Sequence, residues 1–315
     1  MSKAFREEEL AKIHNALIKE GFFAGSWICL ERPSIEFRKF YKDFLRKAKF
    51  GILNYLQKYR LKMEPWRMLK GASSAFILLA PYITPSSKAL KSKLPYKISL
   101  YAYGKDYHRV LKKRAKKVLL SCNQDHFRII TDSTPFPERY FARQAGLGFI
   151  GKNGMLIHPH RGSYFFITVI LFQKKLPNSY KKNAVGKPQD DINRYCKDCT
   201  RCIDACPTGA LVGDGTLDIN LCISTITIED KLSQLSYPDQ SKNHKWIFGC
   251  DVCQQVCPYN HEPVLSSWKE FDPALPFEQL LTNPTRFEES ILNGTALKRA
   301  GLKKLQENIQ KLYNT

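Results

Sequence analysis

Residues 196–207 read CKDCTRCIDACP, with the cysteines spaced Cys196-x2-Cys199-x2-Cys202-x3-Cys206 and Pro207 next. This is the run that bacterial ferredoxins use for [4Fe–4S] clusters. Three closely set thiolates grip one cube, and the fourth, sent on by the longer spacer, reaches a different one. A second cube is therefore expected, and residues 250–258, CDVCQQVCP, supply Cys250, Cys253 and Cys257 before Pro258. That run is one cysteine short of the full pattern, and the isolated Cys222 fills the vacancy. The spacing rule divides the eight into two sets: Cys196, Cys199 and Cys202 with Cys257, and Cys222, Cys250 and Cys253 with Cys206. Two structural zinc sites are the alternative, since CxxC pairs also bind zinc. Both runs end in Cys-Pro, however, and the four-cysteine run is not split into separated knuckles. The CxxxCxxC triplet of radical-SAM chemistry is absent. Cys29 and Cys122, outside the cluster, read as small buried hydrophobes.

Around this cluster lies a chain of 315 residues, long enough for one large domain or two ordinary ones, and 43% hydrophobic, ample for a buried core. Its net charge of +21 calls for an anionic partner. The charge is unevenly placed. Residues 1–185 carry 36 basic and 12 acidic side chains, a net of +24, whereas 186–315 carry 14 basic and 17 acidic, a net of −3. The N-terminal MSKAFREEEL has acids where a secretory signal has a basic and then an apolar run. The longest apolar stretch, Tyr164–Phe172, is far short of the ~20 residues that cross a bilayer. The reading is a cytoplasmic protein with no membrane partner, in a compartment where clustered cysteines serve as metal ligands or redox groups before disulfides.

The basic part reads as α+β. The first 50 residues read as helices, with Phe37, Phe40, Tyr41, Phe44 and Leu45 at helical spacing. Ala75–Ala80, Ile98–Tyr103 and Phe127–Thr131 read as strands, and Asp106–Leu120 and Pro137–Ala145 as helices. Met155–His158 and Tyr164–Phe172 read as a strand pair joined through His160-Arg161-Gly162. Lys174–Asp191 is the expected linker. Three units follow: a basic catalytic domain at 1–185, a ferredoxin-like domain at 186–262 and a short helical tail at 263–315. No repeat of 20–50 residues is visible.

Gly146-x-Gly148-x-x-Gly151 matches GxGxxG and falls one residue short of a Walker A loop. Both readings fail on context: a helix precedes the glycines and an apolar strand follows, and Asn153 stands where Walker A needs Ser or Thr. What remains is a glycine loop whose backbone approaches something closely, either a large planar cofactor or a packed turn. Asp132 ends a strand at the expected mouth of a site. It serves as a general acid if burial raises its pKa, or as the N-cap of helix 137–145. Tyr107 and His108 are either core residues or site lining, and His158 and His160 read as turn residues.

Five stretches in order, YGKDYHRVL (103–111), DSTPFPERYFARQAGLGFIGKNGMLI (132–157), CKDCTRCIDACPTGAL (196–211), CISTITIED (222–230) and FGCDVCQQVCPYN (248–260), together resemble the epoxyqueuosine reductase family. The resemblance spans roughly residues 50–260. It implies a nitroreductase-like cobalamin-binding domain followed by a two-cluster ferredoxin-like domain, a relationship to reductive dehalogenases, and removal of the epoxide oxygen of epoxyqueuosine at the tRNA wobble position. By the same resemblance Asp132 is the proton donor, and cobalamin is held by Ser99, Tyr101, Tyr107, His108, Asp132, Ser133, Arg139, Gly148, Lys152, Asn153 and Ser224. The partners implied are the tRNA anticodon stem-loop and an external electron donor, with the protein a monomer. This chain departs from the family's usual wording at Thr225-Ile226, at Lys58, within Gly162–Ile170 and at Ser241–Trp246. Two other functions share parts of the pattern: a cobalamin and iron–sulfur reductase of a small molecule, for which a +24 field has no use, and an iron–sulfur electron carrier with no catalytic centre, which cobalamin binding separates from the rest.

Overall fold

The computed structural model describes residues 4–47, 52–180, 188–236, 244–273, 280 and 288–313. It is a mixed helix and strand fold centred on a four-stranded antiparallel sheet of order β1-β2-β7-β4. The strands are β1 (Ala24–Cys29), β2 (Ser74–Pro81), β4 (Phe127–Ile130) and β7 (Phe165–Phe172). Two-residue strands β3 (Lys97–Ile98), β5 (Phe149–Ile150) and β6 (Leu156–Ile157) and the short β8 (Trp246–Phe248) lie outside it. All eight residues of β2 are buried, which is why SAFILLAP reads as an unbroken apolar run rather than an alternating one. Its side chains divide between two cores. Phe76, Leu78 and Ala80 face one, and Ala75, Ile77 and Leu79 face the other.

Helices cover both faces of the sheet. In chain order they are α1 (Glu7–Glu20), α2 (Ile35–Arg46), α3 (Tyr59–Met63), α4 (Pro85–Lys91), α5 (Tyr107–Ser121), α6 (Glu138–Gln144), α7 (Pro188–Asp191), α8 (Arg201–Asp204), α9 (Ile223–Ile228), α10 (Val252–Gln255), α11 (Glu289–Leu292) and α12 (Leu302–Tyr313). Helices α1 and α5 share the first core, and α6 lies on the second. Asp106 caps α5 by accepting the His108 backbone N–H at 3.0 Å, as the position of an Asp before the apolar repeat demands.

Four sequence expectations are corrected. The first 50 residues are not all helical, because Ala24–Cys29 forms an edge strand on β2. The strand expected at Ile98–Tyr103 stops at Ile98. Beyond it the backbone turns through Leu100–Ala102, because the buried carboxylate of Asp251 takes the Leu100 N–H at 2.9 Å and the Ser99 hydroxyl. Met155–His158 and Tyr164–Phe172 are not partners as strands. Leu156–Ile157 pairs with Phe149–Ile150, β7 joins the main sheet, and only a His158–Gly162 bridge spans the turn. Asp132 does not cap the helix after it, whose N-cap is Pro137 without a side-chain acceptor. The turn reading of His158 and His160 agrees with their backbone contacts. Cys122 is buried and Cys29 half-buried against the first core.

The three sequence units share one interior. Strand β3 runs parallel to β8, and Ile228, Ile247, Phe248, Trp268, Phe271, Leu297 and Leu305 all belong to the core of α1 and α5. Part of the expected linker, 181–187, lies outside the described residues, as do residues 241–243 of the Ser241–Trp246 departure. Its other end is firmly held: Asp191 on α7 accepts from Arg143 at 2.8 Å and from the Ile150 N–H at 3.0 Å.

Candidate active site and cluster-binding loops

The clustered cysteines lie near one another in the fold. Cys196, Cys199, Cys202 and Cys257 wall one cavity of about 200 Å³ together with Lys152, Tyr195 and Tyr259. Burial, followed by the nearby Cys196, Cys257 and Cys199, pushes the Cys202 thiol up to about 11. In the other set expected from the spacing, burial and then Cys222 and Cys206 act on Cys250, pushing it up to about 12. Cys253 is raised by burial and then by Cys250 and Cys222. Among the described residues no three His, Cys, Asp or Glu side chains converge tightly enough for a single ion. Thiols set around a hollow, as at Cys196, Cys199, Cys202 and Cys257, suit a cube of iron and sulfide.

Asp132 follows β4 in the left-handed region, at φ +52°. The Tyr107 hydroxyl donates to its Oδ2 at 2.5 Å, His108 Nε2 lies 3.7 Å from the same oxygen, and its own backbone N–H donates to Glu138 Oε1 at 2.7 Å. The Tyr107 ring is stacked between those of His108, at 4.0 Å, and Phe166, at 4.1 Å. The Asp132 side chain is 67% exposed, yet desolvation is the largest influence on its pKa. It is open to water beside the stacked Tyr107 and His108 rings.

Burial does not make Asp132 the acid that the sequence reading required. Desolvation pushes its carboxyl up, but the hydrogen bonds from His108 and Tyr107, with the charges of His108 and Arg139, outweigh it and hold the carboxyl below its usual range. The proton sits on the neighbours. Burial pulls His108 down, but hydrogen bonds and charge from Asp106 and Asp132 win and raise it to about 9. Burial first, then the charge of Asp132, raises Glu138 to about 8. Lys62, 8% exposed, is pulled down to about 8 by burial and then by Arg139. Neither Glu138 nor Lys62 has a sequence signature; only the fold brings Lys62 to Asp132. Tyr55, Glu229 and Arg299 also act on this neighbourhood, with Arg299 and Glu229 in a two-point ion pair at 2.9 and 2.8 Å.

The residues assigned to cobalamin by resemblance divide into two groups. Tyr101, Tyr107, His108, Ser133 and Arg139 gather around Asp132. The Tyr101 ring meets Tyr107 edge-on at 6.0 Å, Ser133 accepts from Lys112 at 3.4 Å, and Arg139 donates to the Gly154 carbonyl. The others face the cluster loops or the packing beneath them. The Ser99 hydroxyl is taken by Asp251. Lys152 donates to the carbonyls of Lys197 and Cys199, and Asn153 to that of Cys253. The Ser224 backbone N–H faces the Cys222 sulfur. At Gly148 a Cβ would stand 2.5 Å from the Ile157 carbonyl oxygen, so this glycine is required by its own β5–β6 hairpin. Sequence reasoning missed Asp251. It is fully buried beside Cys250 and 3.6 Å from Lys91 Nζ, and it ties the second cluster loop to Ser99 and Leu100.

A family model described as "4Fe-4S double cluster binding domain" matches residues 195–260, and one described as "Epoxyqueuosine reductase QueG, DUF1730" matches residues 62–133. The chain is 34% identical over 303 residues to the epoxyqueuosine reductase of Cyclobacterium marinum, covering 93% of this chain and 92% of that protein. It is 32% identical over 283 residues to the Escherichia coli epoxyqueuosine reductase, covering 84% and 71%. The structure of epoxyqueuosine reductase from Streptococcus thermophilus superposes with a TM-score of 0.72 at 23% identity, over 96% of this chain and 80% of that one. An epoxyqueuosine reductase crystallised with an epoxyqueuosine-modified tRNA-Tyr stem loop gives 0.76 at 22%, over 97% and 80%. At these identities the superpositions speak for the fold. Identity above 30% across nine-tenths of both sequences carries more, and by it the chain belongs to the epoxyqueuosine reductase family.

Proposed function

We propose that the protein reduces epoxyqueuosine to queuosine at the wobble position of tRNA, on a nitroreductase-like domain that binds cobalamin beside two [4Fe–4S] clusters. The observation that carries this reading is Asp132, held in a left-handed turn and open to water, between a proton-bearing His108 and Tyr107. The stacked rings of His108, Tyr107 and Phe166 beside it suit contact with a large flat group. Bound cobalamin would supply the reducing metal centre, fed with electrons by the clusters.

Removing an epoxide oxygen as water takes two electrons and two protons. Both protons come from His108, whose imidazolium persists at neutral pH beside two carboxylates, pass through the Asp132 carboxylate to the departing oxygen, and are replaced on His108 from solvent after each transfer. Tyr107 holds the Asp132 carboxyl in position through its hydroxyl. Lys112, which reaches Ser133 next to Asp132, joins the basic surface on which the anticodon stem-loop docks. The protein acts in the cytoplasm as a monomer and draws electrons from an external donor. No helix among the described residues is long and apolar enough to cross a membrane. The test is incubation of the cobalamin- and cluster-loaded protein, under strong reductant, with tRNA carrying epoxyqueuosine. Mass spectrometry should show loss of one oxygen from the modified nucleoside. An unchanged nucleoside mass with both cofactors bound would reject the assignment.

A further inference from the structure

The loop Gly151–Gly154, between β5 and β6, reaches both cluster-binding loops with two consecutive side chains. Lys152 Nζ donates to the carbonyls of Lys197, at 2.7 Å, and Cys199, at 3.0 Å, and the Lys152 backbone N–H faces the Cys196 sulfur. Lys152 lines the cavity that Cys196, Cys199, Cys202 and Cys257 enclose, as does Arg201. Asn153, 4% exposed and uncharged, reaches the other loop through the Cys253 carbonyl at 3.3 Å. Lys197 is itself in the left-handed region, at φ +46°, so the lysine also pins a backbone turn that a non-glycine residue adopts at a cost.

Accepting one electron makes an all-cysteine [4Fe–4S] centre more negative by one charge. A fixed cation and an N–H aimed at a ligand sulfur both favour that reduced state, and hydrogen bonds to sulfur and local charge are among the levers that set cluster potentials. We propose that Lys152 is a redox-tuning residue, which raises the potential of the cluster held by Cys196, Cys199, Cys202 and Cys257 above the value its sulfurs alone would give. The neutral Asn153 leaves the second cluster without that bias, so the two centres differ in potential. The inference rests on the assignment of the cysteines to two clusters.

The test is a redox titration of the full-length protein carrying both clusters, with dithionite as the one-electron donor and electron paramagnetic resonance as the readout. Wild type should show two one-electron steps. Lys152→Met should lower the midpoint of one step and leave the other in place, and Lys152→Arg, which keeps a charged donor, should restore it. If the methionine variant fails to hold eight irons per chain, Lys152→Gln compared with Lys152→Arg gives the same contrast, the neutral side chain lying lower. Two unmoved midpoints in a fully loaded neutral variant, or two midpoints that move together, would overturn the tuning role. A wild-type protein that holds no second cluster would overturn the ligand assignment, and the proposal with it.

Discussion

Asp132 occupies a backbone conformation that short polar side chains tolerate and most others do not. Replacing it with alanine therefore removes the carboxyl and disturbs the turn together. Asn tolerates the same φ and keeps a carbonyl oxygen for the Tyr107 hydroxyl, so Asp132→Asn removes chiefly the ionisable proton. Turnover should fall roughly 100- to 10,000-fold, the range associated with losing a general acid, with tRNA affinity and cofactor content unchanged. Single-turnover rates within a few-fold of wild type would refute the proton-donor role. His108 gives the matching pH prediction. Its folded pKa, about 9, lies above the ordinary 6.5, so the stabilisation it brings is complete below about 6.5 and is lost as pH rises through about 9. Turnover and thermal stability should both decline over that window, and His108→Gln should flatten the decline in stability. A variant that keeps the wild-type stability profile would place the titration elsewhere.

Helix α5 shows what a run of charges conceals. In LKKRAKKVLL the five basic residues from Lys112 to Lys117 look alike, yet the fold gives them different work. Lys113, Lys116 and Lys117 are exposed, and Lys112 reaches Ser133 beside the Asp132 turn. Arg114 turns inward to pair with Glu20 at 2.6 Å and Glu270 at 2.8 Å and lies over the Trp268 ring at 4.5 Å. Neutralising Lys112, Lys113, Lys116 and Lys117 should weaken tRNA binding and reduce the slope of log affinity against log salt by roughly 0.7 to 0.9 for each phosphate no longer neutralised. Arg114→Ala should instead leave that slope alone and destabilise the fold by about 2 kcal/mol, since it strands two half-buried carboxylates. An unchanged slope in the lysine variant, measured by filter binding, would mean that this face of α5 does not meet RNA. Elements were legible where the apolar pattern was strong, periodic in α5 and unbroken in β2. They were illegible where a distant group decided the outcome. Asp251, far along the chain, ends β3 at Ile98, and β1, with its small residues Ala24, Gly25 and Ser26, carries no apolar run to announce it. The double-cluster segment was legible because such cysteine spacing is set by the cubes it serves. Lys62 was not, because only three-dimensional folding places it near Asp132, and Glu138, six residues beyond Asp132, carries no motif that marks it.

At the scale of the molecule, charge divides the chain more sharply than packing does. The basic part and the cluster part differ by net charges of +24 and −3, yet their apolar residues form a common interior that the tail completes. Trp268, 2% exposed, donates from Nε1 to the Glu20 carbonyl at 2.8 Å at the end of α1 and meets Phe22 edge-on at 5.1 Å. Gly21 gives it room, since a Cβ there would run into the indole nitrogen. Asn308 on α12 donates to the carbonyls of Thr227 on α9 and Ile247 on β8, at 3.0 and 2.8 Å. Residues after the last cysteine thus hold the first helix, the cluster segment and the short strand beside it in one packed body. Independent domains would melt separately, but segments that share a core cannot lose one part without exposing the interior of the others. Thermal unfolding followed by far-UV circular dichroism and by the visible absorption of the clusters should therefore give one coincident transition. Trp268→Ala, which opens a cavity where tail and first helix meet, should lower both signals together by about 3 to 5 kcal/mol of stability. A cluster signal that survives while the helical signal is lost, in wild type or in this variant, would show that the ferredoxin-like segment folds on its own.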